Sequence, residues 1–462
     1  MNTPTPRLTP RFTPRLTRPA AALGAAVLAV AMSACGITSS SSSGGSGGSA
    51  GGSGGGSAAS GSALTVTDVA PFSGVDGSLG PIYLATCYGA TSAINAAGGV
   101  LGHKLACKSV DTRGEPADAV PAVNQMFAST SNLALVIGCT SDEAASVVPI
   151  INGRKMVSFC MTGQSEFAHV HYPYFYRLVP PDLEEAYAMV AIAQHLHAKR
   201  VALAFGNDIG SQTFVAPALS ALKKAGITVA TNQTLDLKAT TFRTEASAIV
   251  QSHPDAILTE ALGSADPTLL AEIKQLNNGK VIPIIGTSAA ISPAFFKSAA
   301  AALGASTFAA NFHADNLVTE SSGPAYAAFS KALLSQQGKV PGSTGNFTTY
   351  LSAPGGVHLY DGINLAALAM IMSKSTTPAT YAPDIIKIGN GVSGAQLCYS
   401  FAACASALKA GHAIRYEGPG GPTNFDSYHG SPGIFQIDTY SPSGQVNVVG
   451  NLSAAQLRAL AG

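Results

Sequence analysis

The chain has 462 residues, 26 Lys+Arg against 25 Asp+Glu, and a formal net charge of +1; only 11% of its residues are charged. It is too long for one hydrophobic core and suits two lobes or domains. With charge balanced and no basic stripe, nucleic acid is excluded as a partner. The N-terminal segment carries four arginines (Arg7, Arg11, Arg15, Arg18), an apolar run from Ala20 to Val30, and then Met32, Ser33 and Ala34 ahead of Cys35. A basic start, a short apolar stretch and small residues describe a cleavable export signal over residues 1–34, leaving a mature chain of 428 residues. Residues 35–63, almost wholly Gly, Ser, Ala and Thr after the cysteine, form a flexible tether with about 30 Å of reach. Beyond the signal no apolar run is long enough to span a bilayer.

From Ala63 on, short apolar runs alternate with amphipathic ones. Strands are predicted at Leu64–Val69, Lys104–Val110, Leu133–Gly138, Met156–Phe159 and Phe175–Val179. The helix Leu183–His197 follows, and a second series has strands at Val201–Phe205, Ile227–Thr231, Ala256–Thr259, Val281–Ile285 and Thr307–Asn311. Helices are predicted at Leu79–Ala97, Ala117–Ser129, Phe214–Ala225, Arg243–Ser252 and Pro267–Leu276. Repeated strand–helix units imply an α/β fold of parallel sheets, and two series imply two doubly wound lobes. Ligands bind such sheets beyond the carboxyl ends of the strands. The loops there are Pro71–Gly74 with Ser73, Cys139–Asp142 with Thr140 and Ser141, and Cys160–Gly163 with Met161 and Thr162. Their hydroxyls and free N–H groups suit a carboxylate or another small polar anion; the same residues serve equally as helix caps.

Cys35 after Met32-Ser33-Ala34 resembles the lipobox of bacterial lipoproteins, which makes it the lipidated first residue of a mature chain anchored outside the membrane. One acyl chain binds a bilayer weakly, so firm attachment needs multiple acylation. Cys87, Cys107, Cys139, Cys160, Cys398 and Cys404 remain. An even number of cysteines in an oxidising compartment suggests disulfides, with fifteen possible connectivities. No metal site is expected: no CxxC pair occurs, and His195 and His197 point different ways on a helix.

Enzyme motifs are weak, and no cofactor is expected. No GxSxG elbow occurs in strand-turn-helix context. Glu184 and Glu185 open a helix, where acidic residues are favoured by its dipole. The formal GxGxxG of Gly389 to Gly394 lies late, in a loop leading to Cys398, without a following βαβ unit.

Ile94-Asn95-Ala96-Ala97-Gly98-Gly99-Val100-Leu101-Gly102-His103-Lys104-Leu105, followed by Asp111-Thr112-Arg113-Gly114-Glu115-Pro116, resembles the first βαβ unit of type I periplasmic binding proteins, the branched-chain amino acid and amide receptors of ABC transporters. Ile414 to Asp426, with its Tyr416-Glu417-Gly418 turn before a strand, resembles the late segment of that family, and Tyr360-Asp361-Gly362-Ile363-Asn364 a helix start between the two. The resemblance covers nearly all of Leu64 to Val449. It implies a two-lobed clamp with three hinge crossovers: residues 64–180 and 314–428 in lobe one, 181–313 and 429–455 in lobe two, and a tail at 456–462. The solute would lie between the lobes, gripped by Thr140, Ser141, Met161, Thr162 and Ser73 from lobe one.

The same resemblance suggests a local bridge from Cys87 to Cys107, a bridge from Cys139 to Cys160 at neighbouring strand ends, and a short loop closed by Cys398 and Cys404; free buried thiols at Cys139 and Cys160 are the alternative. Lobe two departs from the family. Ile209 stands where an aromatic residue is expected, and no acid occurs in Gly286 to Ala290, around Ser288. A buried ammonium without a counter-charge is costly, which leaves Asp208 and Glu260 as its partners, or a ligand without an ammonium. The expected function is a monomeric, lipid-anchored, extracytoplasmic receptor. It would pass a small-molecule solute to an ABC permease and its ATPase. An amino acid ranks first as solute, ahead of a carboxylate, amide or urea-like compound. A tethered sensor or a cell-surface interaction module are the other functional classes.

Overall fold

The computed structural model describes residues 61–461; Cys35, the export signal and all but the last residues of the proposed tether lie outside them. Those last residues, Gly61 to Ala63, already belong to the first strand, where Gly61 pairs with His103.

The first sheet is parallel and carries β1 (Gly61–Ala70), β2 (His103–Asp111), β3 (Leu133–Thr140), β4 (Ser158–Met161) and β5 (Phe175–Arg177) in the order β2-β1-β3-β4-β5. The second contains β6 (Arg200–Gly206), β7 (Thr228–Leu235), β8 (Ala256–Glu260), β9 (Ile284–Gly286) and β10 (Phe312–Leu317). A parallel ribbon of β11 (Gln396–Cys398) and β12 (Ile414–Tyr416) stands apart. The last strands, β13 (Phe435–Tyr440) and β14 (Val446–Leu452), add antiparallel to the second sheet, giving β14-β13-β10-β9-β8-β6-β7. Both sheets are covered on two faces, which is why β3, β6 and β8 read as near-continuous apolar runs rather than alternating ones. The chain passes between the two cores three times: between Leu178 and Ala186, between Leu317 and Phe329, and between Phe425 and Phe435.

Three local expectations change. Thr307–Asn311, expected as a strand, is the end of a helix, Ala305–Asn311, and the strand begins one residue later at Phe312. Gly304 at φ +86° starts that helix, and its three alanines favour the helical state. The segment expected as a C-terminal tail carries the helix Ala454–Leu460, held by a Ser453–Gln456 capping box and by burial of Leu457 and Leu460 against the second sheet. The Tyr360–Asn364 motif lies in the interior of the helix Pro354–Ser373 rather than at its start, which Pro354 occupies instead. Of the glycines of Gly389 to Gly394, Gly389 lies in the last turn of the helix Pro378–Asn390, Gly391 and Gly394 follow its carboxyl end, and none opens a helix.

Cys87 is bonded to Cys107, Cys139 to Cys160 and Cys398 to Cys404. The middle bridge joins the ends of β3 and β4 beneath the loops beside the cleft.

Two of the recognised motifs meet in space. The Tyr416 hydroxyl donates to the Asp361 carboxylate at 2.8 Å, as does the Gly420 N–H, and Asn364 donates to Tyr416 at 3.1 Å. Gly418 must be glycine because a Cβ there would fall on the Asp361 carboxylate. Burial holds the Asp361 carboxyl up at about 7 despite these donors. Tyr416→Phe leaves a buried carboxyl short of a donor and is expected to destabilise the protein by about 1–3 kcal/mol. Chemical denaturation measures this, and an unchanged midpoint would show that the pair does not anchor the motif.

Candidate functional site

The carboxyl ends of both sheets face one cleft, as expected for open α/β sheets. It holds a cavity of ≈ 140 Å³, smaller than the ~300–1,000 Å³ of drug-sized sites. From the first lobe come Asp76, Leu79, Ile82, Tyr83, Thr140, Ser141, Asp142 and Met161. From the second come Asp208, Phe214, Glu260, Leu262 and Ser288, and from the crossing after β5 come Asp182 and Glu185. The cleft is closed at its rim: the Gly210 N–H, at the start of a lobe-two turn, donates to the Asp142 carboxylate of lobe one at 2.7 Å. Gly263, at φ +70°, approaches Val75 so closely that a Cβ would lie 3.1 Å from its Cγ1.

Six of the nine candidate residues meet around this cavity: Thr140, Ser141, Met161, Asp208, Glu260 and Ser288. The other three do not line it. Ser73 is exposed and its hydroxyl donates to Asp111 at 2.6 Å, which ties down its own loop. Thr162 is fully buried behind the lining and accepts from Ser141 at 3.2 Å and from the Gln164 N–H at 3.3 Å. Ile209 is 46% exposed, and the apolar aromatic wall of lobe two comes from Phe214 instead.

Several of the hydroxyls and N–H groups read as an anion site are engaged by the protein itself. Thr140 caps the helix Ser141–Gly153, donating its hydroxyl to Glu143 at 2.6 Å while its own N–H donates to the same side chain at 2.9 Å. The Ser288 N–H donates to Glu185 at 2.8 Å, and the Thr287 hydroxyl donates to Glu260. An acid therefore does reach the loop Gly286–Ala290, delivered from the helix Asp182–His195 rather than from the loop's own sequence. The dipole explanation for Glu185 accounts for its position in the first helical turn but not for this contact.

Six carboxylates thus line one small cavity: Asp76, Asp142, Asp182, Glu185, Asp208 and Glu260; among the described residues no Lys, Arg or His shares it. Sequence reading found two of them. Asp76, Asp142 and Asp182 lie within a few residues of strand ends, the only local signal they carry. The buried Arg177 guanidinium donates to the Gln164 carbonyl at 3.1 Å and acts on Asp182 from outside the lining.

Burial, reinforced by the neighbouring Asp142, pushes the Asp76 carboxyl well above its ordinary range. Burial and then the charge of Asp208 raise Asp142. Burial raises Glu185, and burial followed by the charge of Glu185 raises Glu260 further. Asp182 stands at about 7, burial outweighing the Thr213 hydroxyl and Arg177 that lower it. No group of three or more His, Cys, Asp or Glu among the described residues is arranged to hold a metal ion.

The sequence matches the periplasmic binding protein family over residues 65–433. The chain belongs to that family. Its members bind solutes outside the cytoplasm for transport and are not enzymes. Solved structures show the same fold at low identity. The branched-chain amino acid transporter substrate-binding protein LivJ from Streptococcus pneumoniae, in complex with isoleucine, is 16% identical over 84% of this chain and 99% of its own, with a TM-score of 0.65. A solute-binding protein of an ABC transporter from R. palustris, in complex with benzoate, is 15% identical over 84% of this chain and 96% of its own (TM-score 0.64). A fatty acid ABC transporter substrate-binding protein from Thermomonospora curvata is 16% identical over 86% and 94% (TM-score 0.66). No curated protein matches the chain in sequence. Among the described residues no helix is long and apolar enough to cross a membrane.

The raised carboxyls fix a sign for pH dependence. Groups that hold protons more tightly folded than unfolded stabilise the fold below their unfolded value, 3.8 for an aspartate, and that contribution is lost as pH rises through the folded value, about 7 for Asp182. The unfolding temperature of the ligand-free protein is expected to fall as pH rises from about 5 to about 8. Scanning calorimetry across that window measures it, and a rise instead would mean that the cleft carboxyls are not the groups governing stability there.

Proposed function

We propose that this protein is a tethered receptor that encloses a small polar solute bearing an ammonium group between its lobes and delivers it to an ABC permease driven by its ATPase. The observation that supports this most is the placement of carboxylates on both walls of the closed cleft, Asp76 and Asp142 on one and Asp208 and Glu260 on the other. An ammonium held there closes the lobes, because a ligand shifts such a hinge only by binding the closed form more tightly. An amino acid is the first solute class to test, as in the isoleucine-bound relative. The benzoate and fatty acid relatives belong to the same fold, so the lining rather than the architecture selects the solute. Thr140, Ser141, Met161 and Ser288 would shape the pocket, with Thr162 setting Ser141 from behind. The protein would act as a monomer, with lobe one residues 64–180 and 314–428 closing on lobe two residues 181–313 and 429–455.

Thermal-shift measurement on the purified protein against amines, amino acids, carboxylates and amides tests the reading. Binding to the folded state alone adds about 2.7 kcal/mol of stability at a hundredfold excess over Kd. A shift with an ammonium-bearing solute is expected; a shift confined to carboxylates would refute the ammonium assignment.

The lipid anchor is the second element of the proposal. Cys35→Ala is expected to abolish labelling with a fatty-acid probe and release the protein from the membrane fraction with its unfolding temperature unchanged. Persisting label would rule out Cys35 as the anchor.

A further inference from the structure

The proposed solute has one ammonium, but the cleft is acidic at two places. Asp142 and Asp208 flank Gly210: a Cβ on that glycine would lie 3.3 Å from an oxygen of each carboxylate, and Asp76 stands beside them. Glu185 and Glu260 flank the Thr287–Ser288 step, each bonded to one of its two residues. Asp76 is only 7% exposed, lines the cavity, and is reached by no donor among the described residues; its side-chain partner is the Asp142 carboxyl. Asp208 keeps one buried carboxylate oxygen, Oδ2, without a partner. Asp76 faces a cavity to which no Lys, Arg or His among the described residues contributes, while the buried Asp208 Oδ2 packs toward Gly206.

Three of the donors that could hold the other half of an amino acid are already used. A ligand carboxylate needs free N–H groups or a cation, yet the N–H groups of Gly210 and Ser288 are already bonded to Asp142 and Glu185, and Thr140 to Glu143. Placing a further carboxylate beside those of the six that are ionised adds like-charge repulsion. The remaining walls are Leu79, Ile82, Met161, Leu262, Tyr83 and Phe214. They suit a short methylene chain, and the two rings suit a neighbouring cation.

Resting on the receptor reading above, we infer that the solute is a small aliphatic diamine without a carboxylate, one cationic end held by Asp76, Asp142 and Asp208 and the other by Glu185 and Glu260. Its chain is short, because the cavity has a volume of only ≈ 140 Å³.

Two matched pairs of compounds test this by titration calorimetry on the full chain in detergent: 1,4-diaminobutane against ornithine, and 1,5-diaminopentane against lysine. Each pair differs by one carboxylate. The diamine is expected to bind at least about 100-fold more tightly than its amino acid, the ratio that about 2.7 kcal/mol of like-charge repulsion produces. Ornithine or lysine binding as tightly as its diamine would overturn the inference while leaving an amino-acid receptor intact. Leucine binding with both diamines silent would do the same. Benzoate or a fatty acid binding alone would overturn both readings. Glu260→Gln, which keeps the side-chain shape and an oxygen facing Thr287, separates binding from architecture. It is expected to weaken diamine binding about tenfold or more while the ligand-free unfolding temperature holds or rises. Unchanged diamine affinity in this variant and in Asp142→Asn would remove the carboxylates from recognition and overturn the inference.

Discussion

The hydrogen bond from the Gly210 N–H to Asp142 joins the two lobes at the edge of the cavity, and the arrangement of the cleft depends on it. It also fixes where the charges stand. Closing the rim brings Asp142 next to Asp208 and carries both into a space already lined by Asp76, Asp182, Glu185 and Glu260. The contacts that close the clamp also concentrate negative charge. Dehydrating a carboxylate and placing it near others both disfavour its ionised form, so the closed shape holds protons or needs a cation. This coupling gives the hinge a reason to respond to a solute: an opposing charge in the cavity relieves a cost that only the closed state carries.

The supporting structure places these groups without using their own loops alone. Asp182 sits at the first crossing between lobes, where its carboxylate accepts from Thr213 at 2.7 Å and its N–H donates to the Gly163 carbonyl at 2.7 Å. A Cβ on Gly163 would fall on that carboxylate, so the lobe-one loop must be bare there for the crossing to approach. The Cys139–Cys160 bridge ties together the β3 and β4 ends that carry Thr140, Ser141 and Met161. A fixed lobe-one wall loses less conformational freedom when a ligand binds, the usual benefit of preorganisation.

Much of the fold was legible because strand runs and helix faces are local patterns. Leu133–Gly138 and Val201–Phe205 are apolar throughout, and the structure extends each by only a residue or two. The strand expected at Thr307–Asn311 failed because alanine-rich helix and short strand share the same apolar residues, and Gly304 decides between them. The site was less legible. Thr140 and Asp208 were found, but both also act as helix caps, and cap and ligand contact use the same residue types at the same strand ends. Glu185 was read as a helix-dipole residue, and nothing local says that its carboxylate meets Ser288 across 103 positions of sequence. A missing acid in one loop can be supplied by another element, a tertiary fact that spacing does not encode.

A backbone N–H at a strand end or helix start attracts an anion only while it is free. Here protein carboxylates occupy two: Asp142 on Gly210 and Glu185 on Ser288. Each such bond removes one donor that a ligand carboxylate would use and leaves a carboxylate at the cavity wall in its place. Two bonds of this kind make the wall of this cleft acidic where an unoccupied N–H would attract an anion. The fold therefore places no limit on ligand charge, and the side chains that fill its donors set it.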